Sequence, residues 1–320
     1  MEVGQYSCPS VDYSLCGHDL VPDLIHRQGN SMPSPAFHAP DTVEGAVALL
    51  SGDPTARPLS GGTDLIVQMR SGRIAPSAVV DLKRIASLSG VRREGDAFVI
   101  GAATPCTALK NDADLCAAWP GVVEAANLIG SVQVRNRATM AGNLCNASPA
   151  ADSVPALVAA GASCVVAGPA GMREVAVQDI PVSPGRTSLA SGEFVVEFRL
   201  PVRGTRAADA YLRSIPRTEM DIAVVGVGAN IELDADGTCT AASIALGAVA
   251  PTVVLVEAAG AALVGTRLED DALASMVEAV TAACAPIDDK RGTVAYRKAM
   301  AGVLAKRTVQ IAAQRAGAKA

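Results

Sequence analysis

The sequence is 320 residues long, which is enough for two or three domains and a sizeable core. Half of its residues are hydrophobic but only 3% are aromatic, so Ala, Val, Leu and Ile must build that core. A net charge of -5 excludes the strong positive charge on which general nucleic-acid binding depends.

The N-terminal segment has no recognisable pattern. Residues 1–33 carry scattered polar, Gly and Pro residues, so we predict a disordered N-terminal extension. The alternative is a strap that packs on a partner. Beyond it, Asp41 and Glu44 form a capping box, which predicts a helix that begins there and ends at Gly52.

A strand then runs into a glycine-rich turn and a helix. Pro58 and Leu59 lead into Ser60-Gly61-Gly62-Thr63-Asp64, and a helical pattern follows from Leu65 to Gly72. Small residues at such a turn let a ligand approach the backbone, and its free N–H groups attract anions. The plainer interpretation is a tight connection between two buried elements. The dinucleotide fingerprint G-x-G-x-x-G and the P-loop pattern do not occur.

Further strands are predicted at residues 78–82 and 97–100, and a helix follows the segment Gly101 to Pro105. The basic pairs Lys83-Arg84 and Arg92-Arg93 are interpreted as solvated loop charges. No paired carboxylates or nucleophile-and-base arrangement accompany these elements, so the chain itself offers no catalytic residues.

A second small-residue loop lies within the stretch Ile129 to Ala162. The loop Ala138 to Asn143 is followed by a predicted helix, with Ser148 as its N-cap and Gly161 as its end. Asp152 then sits near the positive end of the helix dipole. Two anion-type loops in one chain suit a dinucleotide that is held between two subdomains.

The pattern of the C-terminal half predicts antiparallel strands and helices. A hairpin is predicted at 163–177, a strand at 193–200, and a domain boundary at 201–206. Three strands follow near 211–213, 221–227 and 240–246, with a turn at Asp234-Ala235-Asp236-Gly237. Helical patterns occupy 268–283 and 295–314.

Cysteines and histidines give no metal-binding pattern. No C-x-x-C pair occurs among the eight cysteines, and the three histidines have no acidic ligand spacing. Neither a disulfide framework nor an iron–sulfur cluster is therefore expected in this chain. The N-terminus lacks a signal-peptide pattern and the long uncharged runs contain Gly and Pro, so we expect a cytoplasmic protein without a membrane span.

Five segments resemble one known family, the FAD-binding medium subunits of molybdenum hydroxylases, which is the xanthine dehydrogenase and carbon monoxide dehydrogenase group. SGGTDLIVQMR and GSVQVRNRATMAGNLCNASPAAD look like its two flavin-binding signatures. Similar segments follow in the expected order: GRTSLASGEFVVEFRLP, the stretch Tyr211 to Val225, and PIDDKRGTVAYRKAM. The resemblance spans about Pro35 to Leu304.

This resemblance implies an α+β fold with two domains. Residues 34–204 would form a FAD-binding domain of the PCMH/vanillyl-alcohol-oxidase type with two α/β subdomains. Residues 205–320 would form a smaller domain like the C-terminal domain of the CO dehydrogenase flavoprotein, with a three-stranded antiparallel sheet and helices.

The resemblance also implies FAD as the cofactor and assigns its binding to three groups of positions. The first surrounds the glycine-rich turn: Pro58, Leu59, Ser60, Gly61, Gly62, Thr63, Asp64 and Leu65. The second is the small-residue loop: Ala138, Thr139, Met140, Ala141, Gly142 and Asn143. The third is scattered: Ala102, Thr104, Ile129, Asp152, Val196 and Arg213. From the residues alone, Ala102 and Thr104 also fit a plain strand-to-helix turn, and Ile129 also fits the core.

Two positions depart from the family pattern. Ala141 replaces a glycine of the second loop, which is tolerable if this residue has a negative φ. Arg213 stands where the family's Tyr-x-Lys has lysine, and a planar guanidinium does not replace a point charge one for one. The effect of this second change on the flavin is open.

The function implied is an electron relay through FAD. The partners would be a large subunit with a molybdenum-pterin and a small subunit with [2Fe–2S] clusters, in a dimer of heterotrimers. The acceptor would be NAD+, a quinone, oxygen or another carrier, and the substrate would be chosen in another subunit. Two alternatives stay open: a freestanding flavin-dependent oxidoreductase of the same fold, and a non-catalytic nucleotide-binding protein that has lost flavin.

Overall fold

The structure is a computed structural model that describes residues 34–317. The predicted N-terminal extension lies outside the described residues. The strands are β1 (Ala36–His38), β2 (Arg57–Leu59), β3 (Ala78–Asp81), β4 (Val91–Glu94), β5 (Ala97–Gly101), β6 (Ser163–Gly168), β7 (Gly171–Ala176), β8 (Pro181–Ser183), β9 (Arg186–Thr187), β10 (Phe194–Pro201), β11 (Ala207–Ser214), β12 (Val225–Leu233), β13 (Cys239–Gly247) and β14 (Val254–Leu255).

The α-helices are mostly short. They are α1 (Val43–Gly52), α2 (Leu65–Arg70), α3 (Cys106–Leu109), α4 (Ala113–Ala118), α5 (Pro120–Asn127), α6 (Val132–Arg135), α7 (Met140–Cys145), α8 (Ser153–Ala159), α9 (Glu257–Ala261), α10 (Asp270–Ala283) and α11 (Val294–Arg315). Single 3-10 turns occur at Ala86–Leu88 and Val177–Asp179.

The first sheet is parallel, with the strand order β1-β3-β2. Its central strand contributes Val79 and Val80, which are both buried. The neighbouring helix α1 begins one residue later than predicted. Thr42, not Asp41, is its N-cap and accepts a hydrogen bond from the Gly45 amide at 3.0 Å. Asp41 instead pairs with Arg84, so the Thr hydroxyl satisfies the orphan amide of the first turn.

The second sheet is antiparallel and has five strands in the order β4-β5-β10-β6-β7. Its central strand β10 pairs with β5 and with β6, and so joins parts of the chain that are distant in sequence. Ile100, Cys164 and Phe198 belong to the largest buried cluster, which they share with residues of α5 and α8. Phe194 and Val196 belong to a second cluster with residues of α1.

The third sheet is antiparallel in the order β11-β12-β13-β14. The three predicted strands are present, and the two-residue β14 adds a fourth. The middle strand begins at Val225 rather than at Asp221, and the predicted turn after it lies between β12 and β13. The sheet shares a buried core with α10 and α11.

Helix α8 lies against this third sheet. A side chain at Gly228 of β12 would meet the Pro155 carbonyl oxygen at 2.5 Å, so glycine permits the close approach. Every residue of α8 is buried. The helix therefore connects the largest buried cluster to the C-terminal sheet and fixes the position of the residues at its start.

The segment from 138 to 153 differs from the prediction. The predicted loop contains helix α7, with Thr139 as its N-cap, and the following helix begins at Ser153 with Asp152 as its N-cap residue. Ser148 is not a helix cap; its hydroxyl accepts from the Ala150 amide in a turn. Ala147, between the two helices, has a left-handed conformation with φ 48°. The chain therefore changes direction there, and no helix begins at Ser148.

Candidate functional site

The first corner of the candidate site is the turn between β2 and α2, residues Ser60 to Thr63. Gly62 has a φ of +79°, which favours glycine. Gly61 is needed for another reason, because a Cβ there would lie 2.0 Å from the Arg137 carbonyl oxygen. The turn thus needs one glycine for conformation and one for close approach of a second backbone.

The second corner is the start of α7, residues Ala138 to Gly142. The Thr139 hydroxyl accepts a hydrogen bond from the Gly142 amide at 3.0 Å. Ala141 lies in the helix and is not among the described residues with positive φ. The condition for tolerating alanine at this position is therefore met.

The two corners meet in space. The hydroxyl oxygens of Ser60 and Thr139 are 3.0 Å apart, and Ser60 also donates to the Ala102 carbonyl at 3.1 Å. The Ala138 carbonyl accepts from the Cys106 amide at 2.8 Å. Three segments that the sequence analysis assigned to one site are thus joined by hydrogen bonds.

Several backbone N–H groups of the corners are available to a ligand. Within residues 34–317, the amides of Gly61, Gly62 and Thr63 have no protein acceptor, and neither do those of Met140 and Ala141. At the start of α2, the Asp64 side chain makes no capping hydrogen bond. Amides of this kind at adjacent helix starts suit a diphosphate, because its oxygens accept several hydrogen bonds and carry negative charge.

A third group of predicted residues gathers at the start of α8. The Asp152 carboxylate accepts from the Tyr211 hydroxyl at 3.0 Å and from the Arg213 guanidinium at 2.7 Å. Burial raises the pKa of Asp152, although the Arg213 charge and both hydrogen bonds oppose that rise. Burial and the nearby carboxylate raise the pKa of Tyr211 well above 10, so it stays a donor. The predicted contact of Asp152 with the nucleotide stays a prediction.

Arg213 is held tightly by this cluster. Its side chain is only 5% exposed, and its Nε atom is buried without a hydrogen-bond partner in the described part of the chain. Gly226 lies opposite it across the β11–β12 pair, and a Cβ there would meet the Tyr211 hydroxyl at 2.7 Å. The C-terminal sheet therefore places Tyr211 and Arg213 against Asp152.

Other predicted positions have structural partners. Thr104 is buried, and its hydroxyl both donates to and accepts from the Gly90 backbone. The Val196 carbonyl accepts from the Ala102 amide at 2.9 Å, while its side chain belongs to the cluster with α1 residues. Ile129 is half-buried against the large core. For these residues no contact with a ligand is established, and their assignment stays a prediction.

The remaining predicted positions flank the corners. Pro58 and Leu59 end β2, and Leu65 begins α2. Asn143 accepts through its side-chain oxygen from the amide and hydroxyl of Ser153, which ties α7 to α8. All of these positions therefore lie on the elements that carry the two corners.

Sequence reasoning missed two supports of the site. Gln68 of α2 donates to the Asn146 side chain at 2.9 Å, which adds a second tie between the elements of the two corners. Lys83, interpreted as a solvated charge, donates to the Ser60 carbonyl at 3.0 Å. No local sequence signal indicates the role of Lys83, because it depends on the parallel pairing of β2 with β3, after which the chain emerges at one edge of the sheet.

Across 34–317 no group of three or more His, Cys, Asp or Glu side chains could hold a metal ion. In the same residues, no helix combines the length and the apolar character that crossing a bilayer requires. The site on this chain contains backbone donors and the buried ion pair of Asp152 with Arg213.

Comparison with known proteins agrees with this geometry. Residues 31–203 match the family model described as the FAD binding domain in molybdopterin dehydrogenase. Residues 210–312 match the CO dehydrogenase flavoprotein C-terminal domain.

The chain aligns with almost the whole length of two curated relatives. The carbon monoxide dehydrogenase medium chain of Afipia carboxidovorans is 38% identical over 88% of this chain and 97% of its own. The putative xanthine dehydrogenase FAD-binding subunit of Escherichia coli K12 is 30% identical over 89% of this chain and 98% of its own.

Solved structures show the same fold. A chain of the reconstituted CO dehydrogenase from Oligotropha carboxidovorans superposes with a TM-score of 0.85 and 37% identity, covering 88% of this chain and 98% of that one. For quinoline 2-oxidoreductase from Pseudomonas putida 86, the TM-score is 0.82 at 28% identity, with 89% and 99% covered. The chain therefore belongs to the FAD-binding flavoprotein subunits of the molybdopterin dehydrogenases, the family of the CO dehydrogenase and xanthine dehydrogenase medium chains.

Proposed function

We propose that this chain is the electron-transfer subunit of a molybdenum-containing dehydrogenase and passes electrons from a partner subunit to a soluble or membrane-borne acceptor. The observation that carries the proposal is the meeting of two corners that each contain backbone amides with no protein acceptor within residues 34–317, those of Gly61, Gly62, Thr63, Met140 and Ala141. When bound, FAD supplies the redox chemistry, because it exchanges electrons singly or in pairs.

The chain's own residues bind and orient the cofactor. The diphosphate would be held by the backbone of Ser60 to Thr63 and of Thr139 to Asn143. Leu59 and Leu65 would flank the first corner, and Ala102 would support it through its hydrogen bond with Ser60. Asp152 and Arg213 would contact the nucleotide or the flavin, with Ile129 and Val196 as apolar neighbours.

The proposed division of labour among subunits is supported by membership in the flavoprotein-subunit family. A large partner subunit would carry the molybdenum-pterin, and a small partner subunit would carry the [2Fe–2S] clusters. Electrons would pass from those clusters to this chain and then to NAD+, a quinone or another carrier. Residues 34–204 would form the FAD-binding domain and residues 205–320 the smaller domain that brings Tyr211 and Arg213 to the site.

Purification of the native protein tests the proposal directly. The untagged complex should contain flavin, iron and molybdenum in constant ratio through successive columns. A flavin-bearing chain that never co-purifies with iron or molybdenum would favour the alternative, a freestanding flavin-dependent oxidoreductase. An absorption spectrum without flavin bands would overturn both.

The isolated chain provides a second measurement. It should take up FAD but should not oxidise purines, aldehydes, N-heteroaromatic compounds or carbon monoxide, because the substrate pocket lies in another subunit. Turnover of such a substrate by the chain alone would contradict the relay function.

A further inference from the structure

Lys83 lies at the C-terminal end of the first sheet, next to the first corner. β2 and β3 are parallel neighbours with Leu59 opposite Asp81, so the residues that follow both strands emerge side by side. The Lys83 ammonium group donates to the Asp81 carboxylate at 2.5 Å and to the Ser60 carbonyl at 3.0 Å. The same Asp81 oxygen accepts from the Lys83 amide at 3.0 Å, which closes a tight turn around the side chain.

The next residue, Arg84, behaves differently. Its side chain is 64% exposed, and its ion-pair partner is Asp41, itself 67% exposed. The Lys83 side chain is only 28% exposed and has two protein acceptors. Lys83 therefore supports the first corner, whereas its neighbour Arg84 is solvated.

The contact with Ser60 acts on a peptide plane that belongs to the candidate site. The Ser60 carbonyl and the Gly61 amide share one peptide bond, and the described peptide bonds are all trans. In a trans peptide the C=O and N–H point in opposite directions. By holding the carbonyl, Lys83 therefore sets the direction in which the Gly61 N–H points.

The Gly61 amide is one of the donors that have no protein acceptor in residues 34–317. The Ser60 hydroxyl is fixed separately, by Ala102 and by Thr139. Lys83 is the side chain that fixes the carbonyl of this residue. An oriented donor binds an anion more tightly than a mobile one, because the cost of ordering it has already been met during folding.

We propose that Lys83 is a positioning residue for the diphosphate of the bound dinucleotide: it holds the Ser60–Gly61 peptide with its N–H turned toward the phosphate oxygens. This inference rests on the proposed binding of FAD at the two corners. Lys83 lies outside both glycine-rich motifs. It would raise the affinity for the cofactor by orienting the backbone and not by touching the cofactor.

The test uses the full chain stripped of flavin and titrated with FAD by fluorescence quenching. Lys83→Met removes the ammonium donor and keeps a side chain of similar length. Because charged hydrogen bonds contribute more than neutral ones, we expect the dissociation constant for FAD to rise about tenfold to a hundredfold. Arg84→Met, which also removes one positive charge but at the exposed neighbouring residue, should leave that constant within about twofold.

Two further measurements separate positioning from a general loss of structure. Lys83→Arg keeps a donor that can reach both acceptors, so it should recover most of the lost affinity. The melting temperature of the flavin-free Lys83→Met chain should stay close to that of the Arg84→Met chain. If Lys83→Met lowered the melting temperature strongly and Lys83→Arg failed to restore FAD binding, Lys83 would be a structural residue only.

The outcomes also separate this inference from the function on which it rests. A wild-type chain that binds no FAD would refute the proposed function itself. A wild-type chain that binds FAD, together with a Lys83→Met chain that binds it equally well, would refute the role of Lys83 and leave the proposed function intact.

Discussion

The contact between the two corners can be tested by adding one methyl group. Gly61 does not have a positive φ, so alanine is compatible with its backbone conformation. The obstacle is space: the new Cβ would lie 2.0 Å from the Arg137 carbonyl oxygen, 2.7 Å from its carbonyl carbon and 2.9 Å from the Ala138 Cα. All three obstacles are backbone atoms, so they cannot move aside by a rotamer change.

The magnitude of the effect follows from these distances. Because non-bonded heavy atoms prefer a separation of about 3.5 Å, the corners must move apart by more than about 1 Å in Gly61→Ala. Such overpacking costs about 1–3 kcal/mol, and loss of the Ser60–Thr139 hydrogen bond adds about 0.5–1.5 kcal/mol. At about 2–4 °C per kcal/mol, the melting temperature should fall by roughly 3–18 °C.

The binding assay completes this experiment. A diphosphate held from both sides requires donors placed within about 0.5 Å, so FAD affinity should fall at least about tenfold. Gly52→Ala is the matched control, because a Cβ at Gly52 of α1 meets no atom within 4 Å. A Gly61→Ala chain that melts within about 1 °C of wild type and keeps its FAD affinity would refute the described contact between the corners.

Three further predictions concern separate parts of the chain. Gly62→Val places a β-branched residue at φ +79° and should remove FAD while the C-terminal domain stays folded. The absorption spectrum would show the loss of flavin, and limited proteolysis would show that the domain is folded. A chain that stays yellow would contradict this prediction. Cys106 and Cys164 are buried, and burial raises the pKa of both thiols to about 12. These two cysteines should therefore resist alkylation at pH 8 until the chain is unfolded, and mass spectrometry would detect early modification. The Ser77 and Thr55 hydroxyls lower the pKa of Asp53 from 3.8 to about 2, so its contribution is present above pH 3.8 and is lost as the pH falls toward 2. Wild type and Asp53→Asn should therefore differ in melting temperature at pH 6 and converge near pH 2, and a constant difference would disprove the linkage.

Local sequence signals were sufficient to find both corners. Gly-Gly between a strand and a helical pattern indicates a turn that ligands can approach, and the structure has that turn with Gly62 at positive φ. The family resemblance placed both corners in one site before any distance was known. Their contact through Gly61 and Arg137 joins residues that are distant in sequence, and no local pattern encodes such a distance.

The errors occurred where several residues compete for one structural role. Thr139, Ser148 and Asp152 all have side chains that can cap a helix, and the sequence pattern favours Ser148. The structure uses Thr139 for α7 and places Asp152 before α8, because Ala147 turns the chain between them. Capping preference alone does not decide among such neighbours, since the choice depends on how the following helix packs against the C-terminal sheet.

Lys83 and Arg84 show the same limit for charged residues. The two are adjacent and chemically similar, and both were assigned to solvent. Only the parallel register of β2 and β3 brings Lys83 beside Ser60, whereas Arg84 emerges toward Asp41. Assigning a role to a loop cation therefore requires the strand order, which composition and periodicity do not supply.

Arg213 unites the local and the long-range parts of the structure. Asp152 is buried at the start of α8, and a buried carboxylate requires donors that satisfy both of its oxygens. Tyr211 and Arg213 provide them from β11, so the C-terminal sheet completes the environment of a residue that belongs to the FAD-binding part of the sequence. Arg213 contributes one guanidinium nitrogen to this pair, 2.7 Å from the carboxylate, so the lysine of the family pattern would preserve the charge but not the planar fork. The ion pair joins the two halves of the chain next to the position where the proposed cofactor would be held.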